Sequence, residues 1–234
     1  MTKAKADGKM LAEHVLEVRY AALGSFLDVR GRIADYVRRR NLFPHWKIDS
    51  NVVNFRDDSE GVKREGAFVG YKSAGYVTLD PATRNYFADR ASRFWKSLQE
   101  YDQFKIPTPT RFGARTKIFV PSEHSFEAIN KASFETLFSD KARSLIGEET
   151  DFQFTIELRE DVFDVRVSGG PIHKDEAGRY FQFESDRFNQ CGLYLDIDYF
   201  KSDGLAASDI PQLLKKAIEL SWCKAEQIAS GVGL

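Results

Sequence analysis

The sequence predicts an α+β fold of antiparallel sheets with packed helices. Segments of strict apolar alternation recur along the chain, and segments with helical spacing interrupt them. The order in the first half is strand, helix, strands, helix, strand, which is the split βαβ pattern of ferredoxin-like folds. A second, strand-rich half then ends in one long helix. The chain has 234 residues, 42% hydrophobic and rich in Phe (19 residues), enough to enclose a sizeable core.

Residues 1 to 10 are polar and read as a disordered lead. In EHVLEVRYAA, residues His14, Leu16, Val18 and Tyr20 face one way and Val15, Glu17 and Arg19 the other, which predicts a strand. Ser25 then stands where an N-cap belongs, and Phe26, Leu27, Ile33, Tyr36 and Val37 follow at helical spacing. Arg38, Arg39 and Arg40 end that helix, where cations complement the dipole. WKIDSNVVNF reads as one strand, and GAFVGYKSAGYVTLD as a hairpin turning at Ser73-Ala74-Gly75. A second helix begins near Pro81, with Phe87, Ala91, Phe94, Trp95, Leu98 and Tyr101 as its apolar stripe. The prolines of PTPT hand over to the strand RFGARTKIFV.

The second half opens with a helix from about Ser125 to Phe138. DFQFTIEL, DVFDVRVS, GRYFQFES and GLYLDIDYF read as strands, the first two joined through Arg159-Glu160-Asp161. The last helix begins at Asp209 with Pro211 in its first turn. Ile210, Leu213, Leu214, Ala217, Ile218, Ser221, Trp222 and Ala225 line its inner face, and Gly231 lies past its end. Residues 11–120 are expected to form the ferredoxin-like subdomain and 121–234 a second α+β subdomain, with the seam near Pro121. The two halves read as two antiparallel sheets with helices packed on them, with one continuous sheet as the alternative.

Lys plus Arg is 34 and Asp plus Glu is 35, so no global pull toward nucleic acid or anionic lipid is expected. The first ten residues lack an apolar signal core, and no run approaches the roughly 20 apolar residues of a membrane span. With two distant cysteines, Cys191 and Cys223, this predicts a soluble, cytoplasmic chain with reduced thiols and no membrane partner. No Gly-rich phosphate loop or close His/Cys spacing is present, and no cofactor is expected.

Two patterns bear on chemistry. Arg111, Arg115 and Lys117 share one strand face, with Gly113 leaving room between the arginines; this is a candidate anion or nucleic-acid site. Asp196 and Asp198 share one face of LDIDYF, as a Mg²⁺ pair requires. That stretch is similar to the first metal strand of diguanylate cyclases, at those residues only. The acidic turn that should complete such a site has no counterpart downstream. The simpler expectation is an Arg–Asp lattice across the sheet, joining Arg111 and Arg115 to Asp196 and Asp198. Arg38, Arg39 and Arg40 are a weaker phosphate-contact candidate. Val167 to Arg179 reads as a hairpin loop whose Gly169-Gly170 amides could also hold an anion. Cys223 reads as a buried thiol, and Phe181 and Phe183 as core.

AEHVLEVRYA, RFGARTKIF and GLYLDIDYF with the final helix together resemble a sporadically distributed family of uncharacterised bacterial proteins of about this length. After Arg115 that family tends to carry an aromatic residue and an asparagine, where this chain has Thr116 and Lys117. The resemblance implies no reaction. It implies accessory systems such as defence or toxin–antitoxin modules, whose small α+β proteins act through partners. The leading expectation is a non-enzymatic binding or assembly protein of the bacterial cytosol. It would engage a protein partner and self-associate through sheet edges or the Trp222 helix. The alternatives are nucleic-acid or nucleotide binding through Arg111, Arg115 and Lys117, and metal-dependent phosphotransfer or nuclease chemistry at Asp196 and Asp198.

Overall fold

The computed structural model describes residues 10–58, 64–182 and 188–234. In chain order its elements are β1 (Leu11–Tyr20), α1 (Phe26–Arg39), β2 (His45–Ile48), β3 (Val52–Arg56), β4 (Glu65–Gly70), β5 (Ser73–Leu79), α2 (Tyr86–Gln99) and β6 (Pro109–Pro121). There follow α3 (Phe126–Leu137), α4 (Asp140–Ile146), β7 (Phe154–Glu160), β8 (Phe163–Ile172), α5 (Ala177–Tyr180), β9 (Gly192–Lys201) and α6 (Ile210–Val232). The strands form one nine-stranded antiparallel sheet, ordered β2-β3-β4-β5-β1-β6-β9-β8-β7. The expected two sheets are not what forms: the alternative, one continuous sheet, does, because β9 pairs with both β6 and β8.

The ferredoxin-like expectation holds in the first half. β5 and β6 run parallel with β1 between them, and α2 makes the crossover, which is a split βαβ unit. β2 to β5 form a four-stranded meander where the simplest version of that fold has two strands. β6 pairs with β1 on one side and β9 on the other, and the main apolar core draws residues from both halves of the chain.

All the long helices lie on one face. α2 and α6 pack on each other and on the central strands, α3 on β8 and α6, and α1 on β2 and β3. On β1 the buried His14, Leu16 and Val18 point to this side, where His14 meets Phe87 of α2 and Trp222 of α6. Leu193, Leu195, Ile197 and Tyr199 of β9 do the same. Among the described residues, no helix is long and apolar enough to cross a membrane.

Several local expectations are corrected. WKIDSNVVNF is a hairpin, because Asp49 to Asn51 turn the chain between β2 and β3. The next hairpin turns at Tyr71-Lys72, so Ser73, Ala74 and Gly75 belong to β5. Gly75 is needed there for close packing: a Cβ would come within 2.4 Å of both Leu16 O and the Phe68 ring. Ser25 is helical and makes no side-chain cap. Of the expected GRYFQFES strand, Gly178 to Tyr180 lie in a helical turn, and residues 183–187, with Phe183, lie outside the described residues. Helix α4 is unanticipated; the Ser139 hydroxyl accepts from Ala142 N–H at its start. Gly231 lies within α6, and Gly233, at φ 85°, ends it in the left-handed region that suits glycine. Apart from Met10, the expected lead of residues 1 to 10 lies outside the described residues.

Candidate functional site

With the helices on one side, the opposite face of the sheet decides what the molecule presents. Alternation along β1, β6, β9 and β8 sends Glu13, Glu17 and Arg19, then Arg111, Arg115 and Lys117, then Asp196 and Asp198, then Asp164, Arg166 and Ser168 to this face. The pairing of β6 with β9 sets Arg115 opposite Asp198 and Lys117 opposite Asp196.

The ion pairs to β9 run diagonally across these positions, while Lys117 bonds Glu13 directly across from it on β1. Arg115 Nε donates to Asp196 Oδ1 at 2.7 Å, and its Nη2 donates to Asp196 Oδ2, a bidentate contact. The Tyr194 hydroxyl also donates to Asp196, at 3.1 Å. Arg111 folds back over Gly113, reaches Asp198 at 3.5 Å and Glu17 at 3.9 Å, and stacks over Phe200 with its Cζ 5.0 Å from the ring centre. The room that Gly113 leaves is thus taken by the Arg111 guanidinium. Lys117 turns to β1, bonding Glu13 Oε1 at 3.1 Å and the Tyr180 carbonyl at 2.9 Å. Glu13 is 1% exposed, and its other oxygen accepts from Gln182 N–H. Arg19 pairs with Glu17.

Burial and hydrogen bonding set the charges. The bonds to Asp196 hold the Arg115 guanidinium firmly protonated. Burial raises the Asp198 carboxyl above its ordinary value, and Arg111 and Arg115 oppose that rise. The Tyr194 phenol is raised by burial, then by Asp196.

One end of this face is covered. α5 and the chain beyond it lay Ala177, Phe181 and Phe188 on Leu11, Phe119, Ile172 and Tyr194, a second small core. The uncovered part holds a basin of about 340 Å³ lined by Arg115, Arg166, Ser168, Asp196 and Asp198. Arg115 is half exposed there. Arg166 stands across from Asp198 on β9 and Glu157 on β7, yet forms an ion pair with neither.

The structure therefore brings Arg111, Arg115 and Lys117 together with Asp196 and Asp198 as an interlocked lattice. Arg38, Arg39 and Arg40 lie apart from it, at the C-terminal end of α1 on the helix side, where Arg40 is bound to Glu100 and the Tyr36 hydroxyl. Asp196 and Asp198 face guanidinium groups. Among the described residues, no group of three or more His, Cys, Asp or Glu side chains is arranged to hold a metal ion.

Gly169 and Gly170 lie inside β8, not in a loop, and their amides offer no anion nest. A Cβ on Gly169 would meet Tyr194 O at 2.3 Å and one on Gly170 would meet Phe152 O at 2.2 Å. Cys223 is exposed, contrary to expectation, because it sits beside the inner stripe of α6. Arg166 and Ser168 were missed as site residues. The alternation of DVFDVRVS was a sufficient signal for their face, but not for the strand beside them.

A second feature lies under the helices. His14 is fully buried, its ring 5.1 Å from Phe87 and 5.8 Å from Trp222, and its Nδ1 lies 3.0 Å from Thr116 Oγ1. Its Nε2 has no partner among the described residues, and burial drives its pKa down to about 3. Above it Arg84 lies over Trp222 and pairs with Glu226, between two shallow surface grooves. No protein-family model matches the chain, and no curated protein sequence matches it either.

Proposed function

We propose that the protein is a non-enzymatic binding and assembly module of the cytoplasm that docks a protein partner on the open face of its sheet. The observation that carries this reading is the basin on that face, where Arg166, without an ion pair among the described residues, and half-exposed Arg115 stand beside Asp198 and Ser168. The surrounding charges are locked in pairs, so they present both signs at fixed positions. Such a surface discriminates partners by charge complementarity more than it adds raw affinity. Its paired ions can be covered by a partner without leaving a lone charge in the contact.

The pairing weighs against the nucleic-acid reading. A polyanion is held by uncompensated cations, and Arg111, Arg115 and Lys117 each already contact a carboxylate. It also weighs against the metal reading, because both oxygens of Asp196 already accept hydrogen bonds.

The test is a pull-down from native cytosol with nuclease, comparing tagged wild type with Arg166→Glu. A stoichiometric protein that survives nuclease and is lost in the variant is the expected result. Recovery of nucleic acid that elutes steeply with salt would overturn the reading in favour of the basic strand. A partner retained equally by the variant would place docking elsewhere.

A further inference from the structure

The sheet ends in two edges, and only one is guarded. β2 has four residues and is entered directly from Pro44; short length and an adjacent proline are common protections against edge pairing. β7 has seven residues, FTIELRE, without proline and without a register shift against β8.

The direction of its free backbone groups follows from the hairpin. A two-residue loop, Asp161-Val162, joins β7 to β8, with Asp161 at φ 55°. The flanking residues Glu160 and Phe163 therefore exchange hydrogen bonds, and Leu158 and Ile156 turn inward likewise. The N–H and C=O groups of Thr155, Glu157 and Arg159 point out from the sheet. Two exposed apolar side chains lie on this hairpin, Ile156 on β7 and Val162 in its loop.

We propose that β7 pairs antiparallel with β7 of a second copy of this chain, about a two-fold axis at Leu158, continuing the sheet across the dimer. The charges choose this occupant and this register. With Leu158 opposite Leu158, each Glu157 faces the other chain's Arg159, and both are outward-facing hydrogen-bonding positions. A two-fold at Glu157 instead would set like charges against each other, which is destabilising. Glu157 has no ion pair among the described residues. Among the described residues Arg159 bonds through Nε alone, to Asp164 at 3.0 Å, which leaves both terminal nitrogens for a partner's carboxylate. On the helix side Leu158 would meet its counterpart, and each Ile156 would stand opposite the other chain's Glu160 and diagonal to its Leu158. The contact is isologous and closed, as a two-fold dimer requires. It does not use the open-face basin, so it stands or falls separately from the docking reading.

The experiment is sedimentation of the full chain over a concentration series, with light scattering as a mass check. The wild type is expected at twice the 26.7 kDa chain mass. Glu157→Lys alone and Arg159→Glu alone each place like charges in both symmetry-related pairs and should weaken the dimer by about tenfold or more. The double exchange Glu157→Lys/Arg159→Glu restores opposite charges and should restore the dimer. Glu157→Pro, which removes an outward N–H and no bond to β8, should give a folded monomer throughout the series. A wild type that stays monomeric throughout the series, or a dimer indifferent to the single exchanges, would overturn the proposal. A double exchange weaker than either single would overturn the register.

Discussion

His14 should make the fold acid-labile in a way that can be separated from its carboxylates. The side chain is fully buried and its pKa falls from 6.5 to about 3 because burial penalises the charged ring. The fold therefore binds the neutral form, and the stabilisation is complete above pH 6.5. As pH falls below 6.5 the unfolded chain takes up a proton that the folded chain refuses, and stability drains until about pH 3. Each pH unit in that window is worth about 1.4 kcal/mol, so moving from pH 7 to pH 4.5 should cost about 3 kcal/mol through this residue alone. The comparison variant is His14→Phe/Thr116→Val. It keeps a ring against Phe87 and Trp222, and it removes the Thr116 hydroxyl that would otherwise lose its partner. Urea unfolding of both proteins at pH 7 and pH 4.5, with matched slopes, isolates the term, since the other titrating groups are common to the two. Wild type should lose about 3 kcal/mol more than the variant between the two pH values. An equal loss would mean that His14 is protonated in the fold, and would refute the burial argument.

Three further outcomes follow from named contacts. Lys117→Met leaves Glu13 buried without its cation and should cost about 3 kcal/mol in denaturant unfolding; adding Glu13→Gln should recover part of it. Gly169→Ala drives a Cβ into the Tyr194 carbonyl at 2.3 Å, which requires β8 and β9 to part, and should lower stability by about 2 kcal/mol, read as a fall in melting temperature. Asp196→Asn/Asp198→Asn frees the guanidinium groups of Arg115 and Arg111 and should create salt-sensitive binding to a single-stranded oligonucleotide that wild type lacks, measured by fluorescence anisotropy at two ionic strengths. Equal binding by wild type would mean that the lattice does not neutralise the face.

Legibility in the sequence followed the range of the interactions. Arg111, Arg115 and Lys117 were assignable to one face because side chains alternate along any strand, whatever lies beside it. The same rule put Asp196 and Asp198 on one face, and the 3.6-residue period of a helix aligned the apolar stripes of α2 and α6. Local reading failed where two local signals competed. WKIDSNVVNF is apolar enough for one strand, yet Asp49-Ser50-Asn51 turns it. Ser73-Ala74-Gly75 has turn composition, yet Gly75 serves a close approach to Leu16 and Phe68 inside a strand. GRYFQFES alternates as a strand would, yet Tyr180 and Phe181 lie over the Tyr194 end of the open face.

The sequence by itself determined that the chain is α+β, which residues share a face, and that a split βαβ unit opens the fold. Each of those follows from backbone periodicity and needs no neighbour. Only the tertiary structure decided that β9 lies between β6 and β8, joining the two halves in one sheet. That pairing is made between residues about eighty positions apart, and it is selected by the total apolar area buried, not by any local segment. It sets Asp196 under Arg115, brings Arg166 across from Asp198, and places β7 at the free edge. The site is therefore a property of strand order, which no single stretch of the chain encodes.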